Sequence, residues 1–174
     1  MDTMLGRVLA IDPDPNGGSW VLFREDQSIV EHGWRTPIVE LADFAALRAD
    51  HVVVEGVQSY GMLVGASTFE TVKCIGDLRC ACRLSKIPVE FDDELTRPKI
   101  KAALCHDSRA KDPNVRAALI DLYGGDKRTA VGLKASPGPL YGVKEDVWAA
   151  LALGIVWLSL HGLGPLAERE GEGQ

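Results

Sequence analysis

The order of hydrophobic runs predicts an α/β fold with a mixed five-stranded sheet flanked by helices. Short β-rich runs over 7–11, 19–23 and 29–34 are joined by polar or Gly/Pro turns and predict three antiparallel strands. Compact runs over 51–54 and 88–91 predict two further strands. A dinucleotide-binding fold is disfavoured because no GxGxxG follows the first strand, and the P-loop pattern is also absent.

Apolar residues recur at helical spacing between and after these strands. It predicts helices over 38–47, 63–84, 97–104, 114–122 and 143–161. The 63–84 helix carries an apolar face with Phe69, Val72, Ile75 and Leu78. The Gly-, Pro- and Lys-rich stretch 124–142 predicts a mobile loop. We therefore expect one domain over residues 1–161 and a flexible acidic tail over 162–174.

Composition is that of a globular protein, with 46% hydrophobic and 25% charged residues. No export signal opens the chain, the apolar stretch 147–160 is too short to span a bilayer, and the four cysteines lack metal-site spacing. These features predict a cytoplasmic protein with reduced thiols and no membrane association. The net charge of −6 is unevenly distributed, because residues 1–60 sum to −6 whereas residues 97–134 sum to +5. The basic segment can bind phosphates or be a solvated surface, so overall acidity does not exclude nucleic acid.

Three carboxylates stand at the ends or beginnings of hydrophobic elements. Asp12 follows the first strand, Glu55 follows the fourth, and Asp146 opens the last apolar helix. Each has an ordinary structural explanation, as a turn former, a solvated strand end and a helix N-terminal acid respectively. Together they are suited to bind Mg²⁺ or Mn²⁺, since these ions prefer oxygen ligands and two of them about 4 Å apart can hydrolyse a phosphodiester.

The same three segments resemble the motifs of RuvC-like Holliday-junction resolvases. Ile11-Asp12-Pro13 resembles their IDPG opening, and Val53-Val54-Glu55 resembles their glutamate-ended strand. Asp146-Val147-Trp148-Ala149-Ala150-Leu151-Ala152 resembles their closing DxxDALA motif. The resemblance covers roughly residues 7–160 and implies a ribonuclease H-like fold. It further implies a homodimer that resolves four-way DNA junctions with two Mg²⁺ or Mn²⁺ ions per active site.

The resemblance also implies roles for individual residues. Asp12, Glu55 and Asp146 are the expected catalytic metal ligands, and Lys101 or Lys111 is expected to neutralise charge at the scissile phosphate. Tyr60 or Met62 is expected to wedge into the junction centre. The remaining DNA-binding candidates are the basic residues Arg97, Lys99, Arg109, Arg116, Lys127, Arg128 and Lys134.

One position departs from the family pattern. Ala149 stands where the second acid of the closing motif is expected, one helical turn after Asp146. Either an engineered Asp-to-Ala change or natural variation explains it, and in either case the chain is expected to bind DNA with impaired cleavage. The compact size and divergent composition favour a phage source, and hence a host-cytoplasmic location.

Two alternatives to junction resolution remain. A nuclease of the same fold can act on flaps or RNA–DNA hybrids. A non-catalytic protein that binds or scaffolds branched DNA can have lost its metal site, and Ala149 is the observation that favours this alternative.

Overall fold

A computed structural model describes residues 6–59, 61, 63–85 and 89–163 of the chain. A five-stranded sheet with the order β3-β2-β1-β4-β5 forms its centre. The strands are β1 (Val8–Asp12), β2 (Gly18–Phe23), β3 (Ile29–Thr36), β4 (His51–Val54) and β5 (Glu90–Asp92). β1 pairs antiparallel with β2 and parallel with β4, while β2–β3 is antiparallel and β4–β5 is parallel. The mixed five-stranded sheet predicted from the sequence is therefore confirmed.

Side-chain alternation along the strands gives the sheet two buried faces. On one face Val8, Ala10 and Val53 pack with residues of α3 (Arg97–Cys105), α4 (Asp112–Gly124) and α6 (Val147–Leu160). On the other face Leu9, Ile11 and Val54 pack with α1 (Ile38–Arg48) and α2 (Ala66–Leu84). Helices thus cover both faces of the central strands, and this packing holds in place the residues that follow β1 and β4.

Two of the predicted helix starts were wrong. α2 begins at Ala66 after Gly65, and not at Leu63. α6 begins at Val147 and not at Val143, because Gly142 (φ 84°) and Glu145 (φ 45°) have left-handed backbone conformations that a helix cannot include.

Residues 124–142, for which the sequence predicts a mobile loop, contain regular secondary structure. The segment contains α5 (Lys127–Ala130) and a small antiparallel ladder of β6 (Gly132–Leu133) and β7 (Ser136–Pro137). Asp126 caps α5 by accepting hydrogen bonds from the backbone N–H groups of Arg128 (2.7 Å) and Thr129 (3.1 Å). Ala130 and Leu140 are fully buried, so the segment is anchored to the core at two points.

The apolar face predicted for the 63–84 helix is only partly buried. Ile75, Leu78 and Cys82 are buried, whereas Phe69 and Val72 are exposed. No helix within the described ranges is long and apolar enough to cross a membrane. None of the four cysteines, all of which are described, forms a disulfide here.

Candidate functional site

Two carboxylates meet at the C-terminal ends of β1 and β4. The parallel register places Ile11 beside Val54, and the Glu55 N–H donates to the Ile11 carbonyl over 3.0 Å. Asp12 and Glu55 therefore follow directly on neighbouring strands and lie at one edge of the sheet. The register thus brings together two of the three carboxylates predicted from the sequence.

Burial perturbs the pKa of both groups. Burial, together with the nearby Glu55 and Asp146 carboxylates, raises the pKa of Asp12 to about 7, and Arg97 opposes this rise. Burial also raises the pKa of Glu55, although Arg97 and Lys101 oppose the shift. Burial is thus the main reason why both carboxyl groups hold a proton more tightly than they would in water.

Arg97 is the cation nearest to this carboxylate pair. Its Nη1 lies 3.0 Å from Glu55 Oε2, and its Nη2 lies 3.6 Å from Asp112 Oδ1. Lys101, one turn further along α3, places its Nζ 3.1 Å from the same Asp112 oxygen, and this contact lowers the pKa of Asp112. The sequence analysis predicted Arg97 only as a DNA-binding residue, whereas the structure shows that it is the counterion of Glu55.

A cavity of about 190 Å³ opens beside these ion pairs. Its wall includes Arg97, Lys101, Asp112, Arg116, Asp146 and Ala149. Asp146 is exposed at the start of α6, and Ala149 is buried one turn later. Position 149 therefore lies on the same wall as Asp146, as the resemblance implies for the second acid of the motif.

The chemistry of the donors fits a divalent cation, because carboxylate oxygens are the preferred ligands of Mg²⁺ and Mn²⁺. The raised pKa of Asp12 is consistent with such a site, since a bound cation would stabilise the ionised form that burial and the neighbouring carboxylates disfavour. Across the described ranges, however, no group of three His, Cys, Asp or Glu side chains is arranged to hold a metal ion. The three-carboxylate metal site of Asp12, Glu55 and Asp146 thus stays a prediction.

The other predicted DNA contacts are spread over several elements. Lys99 is exposed on α3 and donates to the Glu94 carbonyl over 3.0 Å, and Lys111 is exposed at the start of α4. Neither lines the cavity, whereas Lys101 and Arg116 do. Arg109, Lys127, Arg128 and Lys134 are exposed on the segments between α3 and β7. Tyr60 and Met62, the predicted wedge residues, lie outside the described residues.

Aromatic residues beside the site were missed by the sequence analysis. The Arg116 guanidinium lies 5.0 Å from the centroid of the Trp148 ring, and both residues line the cavity. The Trp34 ring likewise has the cationic groups of Arg35 and Lys144 over it, at 4.7 Å and 4.9 Å from its centroid. Its position inside the closing motif could have indicated from the sequence that Trp148 lies at the site. No sequence feature indicated this for Trp34.

Comparison with known proteins identifies the fold. No family model matches the chain, and no curated protein matches its sequence. The structure of RuvC from T. thermophilus in complex with a Holliday junction substrate is 15% identical, with a TM-score of 0.57 over 92% of this chain and 99% of that one. A second Thermus thermophilus RuvC structure is 18% identical, with a TM-score of 0.49 over 91% of this chain and 98% of that one. The sheet order and the first of these similarities show that the chain has the ribonuclease H-like fold of RuvC.

Proposed function

We propose that this chain is a cytoplasmic, metal-dependent endonuclease that acts on four-way DNA junctions. The observation that carries the proposal is the buried pair Asp12 and Glu55 at adjoining strand ends, both with raised pKa values, and with Asp146 close enough to raise the pKa of Asp12. The proposal assigns the nuclease domain to residues 1–161, and most of the tail predicted over 162–174 lies outside the described residues. The RuvC of the same fold that was solved with a Holliday junction supports the choice of substrate.

Asp12, Glu55 and Asp146 would hold the Mg²⁺ or Mn²⁺ ions. When bound, such ions lower the pKa of an attacking water and stabilise the leaving oxygen of a phosphodiester. Arg97 opposes the rise that burial causes in the pKa of Glu55, and a cation bound at Glu55 would compete with this ion pair.

Cations of the cavity are suited to hold the phosphate beside these carboxylates. Lys101 is mostly buried and Arg116 is exposed, and both line the cavity together with Asp146. Their charge would offset that of a phosphate brought next to the carboxylates. Lys101 is at present paired with Asp112, so phosphate binding would compete with that ion pair.

Ala149 favours a second candidate function, that of a branched-DNA-binding protein without nuclease activity. A buried methyl group at this position offers no oxygen to a metal ion. The two candidates share the DNA-binding surface and differ only in cleavage, so binding must be tested first.

The test of the proposal is binding selectivity. We expect the chain to bind a synthetic four-way junction at least tenfold more tightly than a linear duplex with the same arm sequences, a difference of about 1.4 kcal/mol. Fluorescence anisotropy in EDTA measures both affinities without cleavage. Equal affinity for the two substrates at several salt concentrations would indicate a non-selective phosphate-binding surface and refute the proposed substrate.

We also propose that α2 forms a homodimer interface. A stripe of exposed apolar and small residues runs along this helix at intervals of three or four residues, and we call it the α2 stripe: Gly65, Phe69, Val72, Gly76, Cys80 and Leu84. Phe69 and Val72 are 57% and 49% exposed, and a Cβ added at Gly76 would meet nothing within 4 Å. Such a stripe allows a second helix to approach closely while burying apolar surface.

Replacing Val72 with aspartate is expected to weaken dimerisation by about 100-fold or more. An unpaired carboxylate buried at an interface costs about 3 kcal/mol, and a two-fold axis places it there twice. Sedimentation velocity over a concentration series measures the effect. Val39→Asp is the matched control, since Val39 is 71% exposed on α1 outside the α2 stripe. A wild-type chain that is monomeric throughout the series would contradict the proposed dimer.

A further inference from the structure

The edge strand β3 contains an irregularity next to the candidate active site. Trp20 pairs with Gly33, but Gly18 pairs with Thr36, so Trp34 and Arg35 both stand opposite Ser19. Arg35 has a left-handed backbone conformation with φ 51°, which is unfavourable for a residue other than glycine. Bulges of this kind redirect side chains and are frequent beside active sites.

Two cations lie beside one aromatic ring at the bulge. Arg35 Cζ lies 4.7 Å and Lys144 Nζ lies 4.9 Å from the centroid of the Trp34 ring. The indole packs against the core on the α6 side of the sheet, and its Nε1 is buried with no hydrogen-bond partner in the described part of the chain. We call this group, Trp34 with Arg35 and Lys144, the Trp34 clasp.

The clasp has unbalanced positive charge. Arg35 and Lys144 are both exposed, and neither forms an ion pair with any carboxylate of the described residues. Arg97 and Lys101, by contrast, are paired with acids. Two cations held beside one ring repel each other, and an anion placed between them would remove that repulsion.

The clasp also has a defined position relative to the carboxylates. Ser19, which faces the bulge, pairs directly with Asp12, and Lys144 precedes Asp146 by two residues. Because neighbouring strands are about 4.8 Å apart, β3 lies roughly 10 Å from β1. That distance equals about three steps of 3.4 Å along the axis of a duplex, so it is within reach of a phosphate only a few nucleotides away.

We propose that the Trp34 clasp binds the phosphodiester backbone of DNA within a few nucleotides of the bond placed at the carboxylates. Trp34 is the rigid platform, and Arg35 and Lys144 contact the phosphate. The contact is independent of base sequence, since neither cation needs to reach a base edge. This inference rests on the proposed function and extends the DNA-binding surface to the edge of the sheet opposite to β5.

The test compares Arg35→Gly and Lys144→Gln with the wild-type chain in junction binding by fluorescence anisotropy. Arg35→Gly is informative because glycine adopts a φ of 51° without strain, so the guanidinium is lost while the bulge is kept. We expect each variant to weaken binding by about three- to tenfold, equally for junctions of different sequence. Each should also reduce the slope of log K against log[salt] by about 1.

The matched control is Arg24→Gln, because Arg24 follows β2 at the other end of the sheet and donates only to Ser28 in the described structure. Its affinity and salt slope should equal those of the wild-type chain, and thermal midpoints should verify that all variants are folded. Wild-type affinity in both clasp variants, or an equal loss in Arg24→Gln, would overturn the clasp while the proposed function stands. A wild-type chain that binds no junction would overturn both.

Discussion

Ala149→Asp is expected to bind Mn²⁺ at least tenfold more tightly than the unsubstituted chain, a gain of about 1.4 kcal/mol. Position 149 lies on the cavity wall with Asp146, one turn along α6, so a carboxylate there adds oxygen ligands beside existing ones. Isothermal titration with Mn²⁺ measures the gain. Ala149→Asn is the matched control, because its side chain has the same shape without the charge.

The same substitution should destabilise the metal-free protein. Ala149 is 7% exposed, so a carboxylate there would be desolvated, and Asp146 on the same cavity wall would repel it. We expect the free energy of unfolding to fall by about 1–3 kcal/mol without metal and to recover when Mn²⁺ is added. If Ala149→Asp binds Mn²⁺ no more tightly than Ala149→Asn, position 149 is not part of a metal site.

Asp12→Asn is expected to be more stable than the parent chain at pH 8 in the absence of metal. The Asp12 pKa is about 7 in the folded protein and 3.8 in the unfolded reference. Between these values the folded state holds a proton that the unfolded state has lost, so raising the pH favours unfolding. The penalty is absent below about pH 4 and complete above about pH 7, where it reaches at most about 4 kcal/mol.

Urea unfolding of both proteins between pH 4 and pH 8 tests this expectation. The stability difference should grow with pH across that window, because asparagine does not titrate. Adding Mn²⁺ at pH 8 should reduce the difference, since only the parent chain retains the Asp12 ligand. A difference that does not change with pH would show that Asp12 is not the buried, repelled acid described above.

The central strands and their terminal acids could be predicted from the sequence because the relevant signals are local. Asp12 and Glu55 each end a run of buried aliphatic residues, and parallel pairing of two such runs places their ends together. The starts of α2 and α6 could not be predicted in this way, because they depend on the backbone conformations of Gly65 and Glu145. The spacing of hydrophobic residues contains no information on those conformations.

Other features arise only from tertiary contacts. Arg97 looked like any basic residue of its segment, and its role as counterion of Glu55 depends on how α3 packs beside β4. The Trp34 clasp requires a shift in the β2–β3 register together with the approach of Lys144. The exposure of Phe69 on α2 likewise depends on which face of that helix α1 covers.

Cleavage of a synthetic four-way junction by Ala149→Asp in Mn²⁺, mapped on a denaturing gel, tests the central claim most directly. We predict paired nicks at symmetrical positions on two opposed strands, slower cleavage by the unsubstituted chain, and none by Asp12→Asn/Ala149→Asp. An Ala149→Asp protein that binds both Mn²⁺ and the junction yet leaves every strand intact would contradict the nuclease assignment. That result would instead support the branched-DNA-binding function.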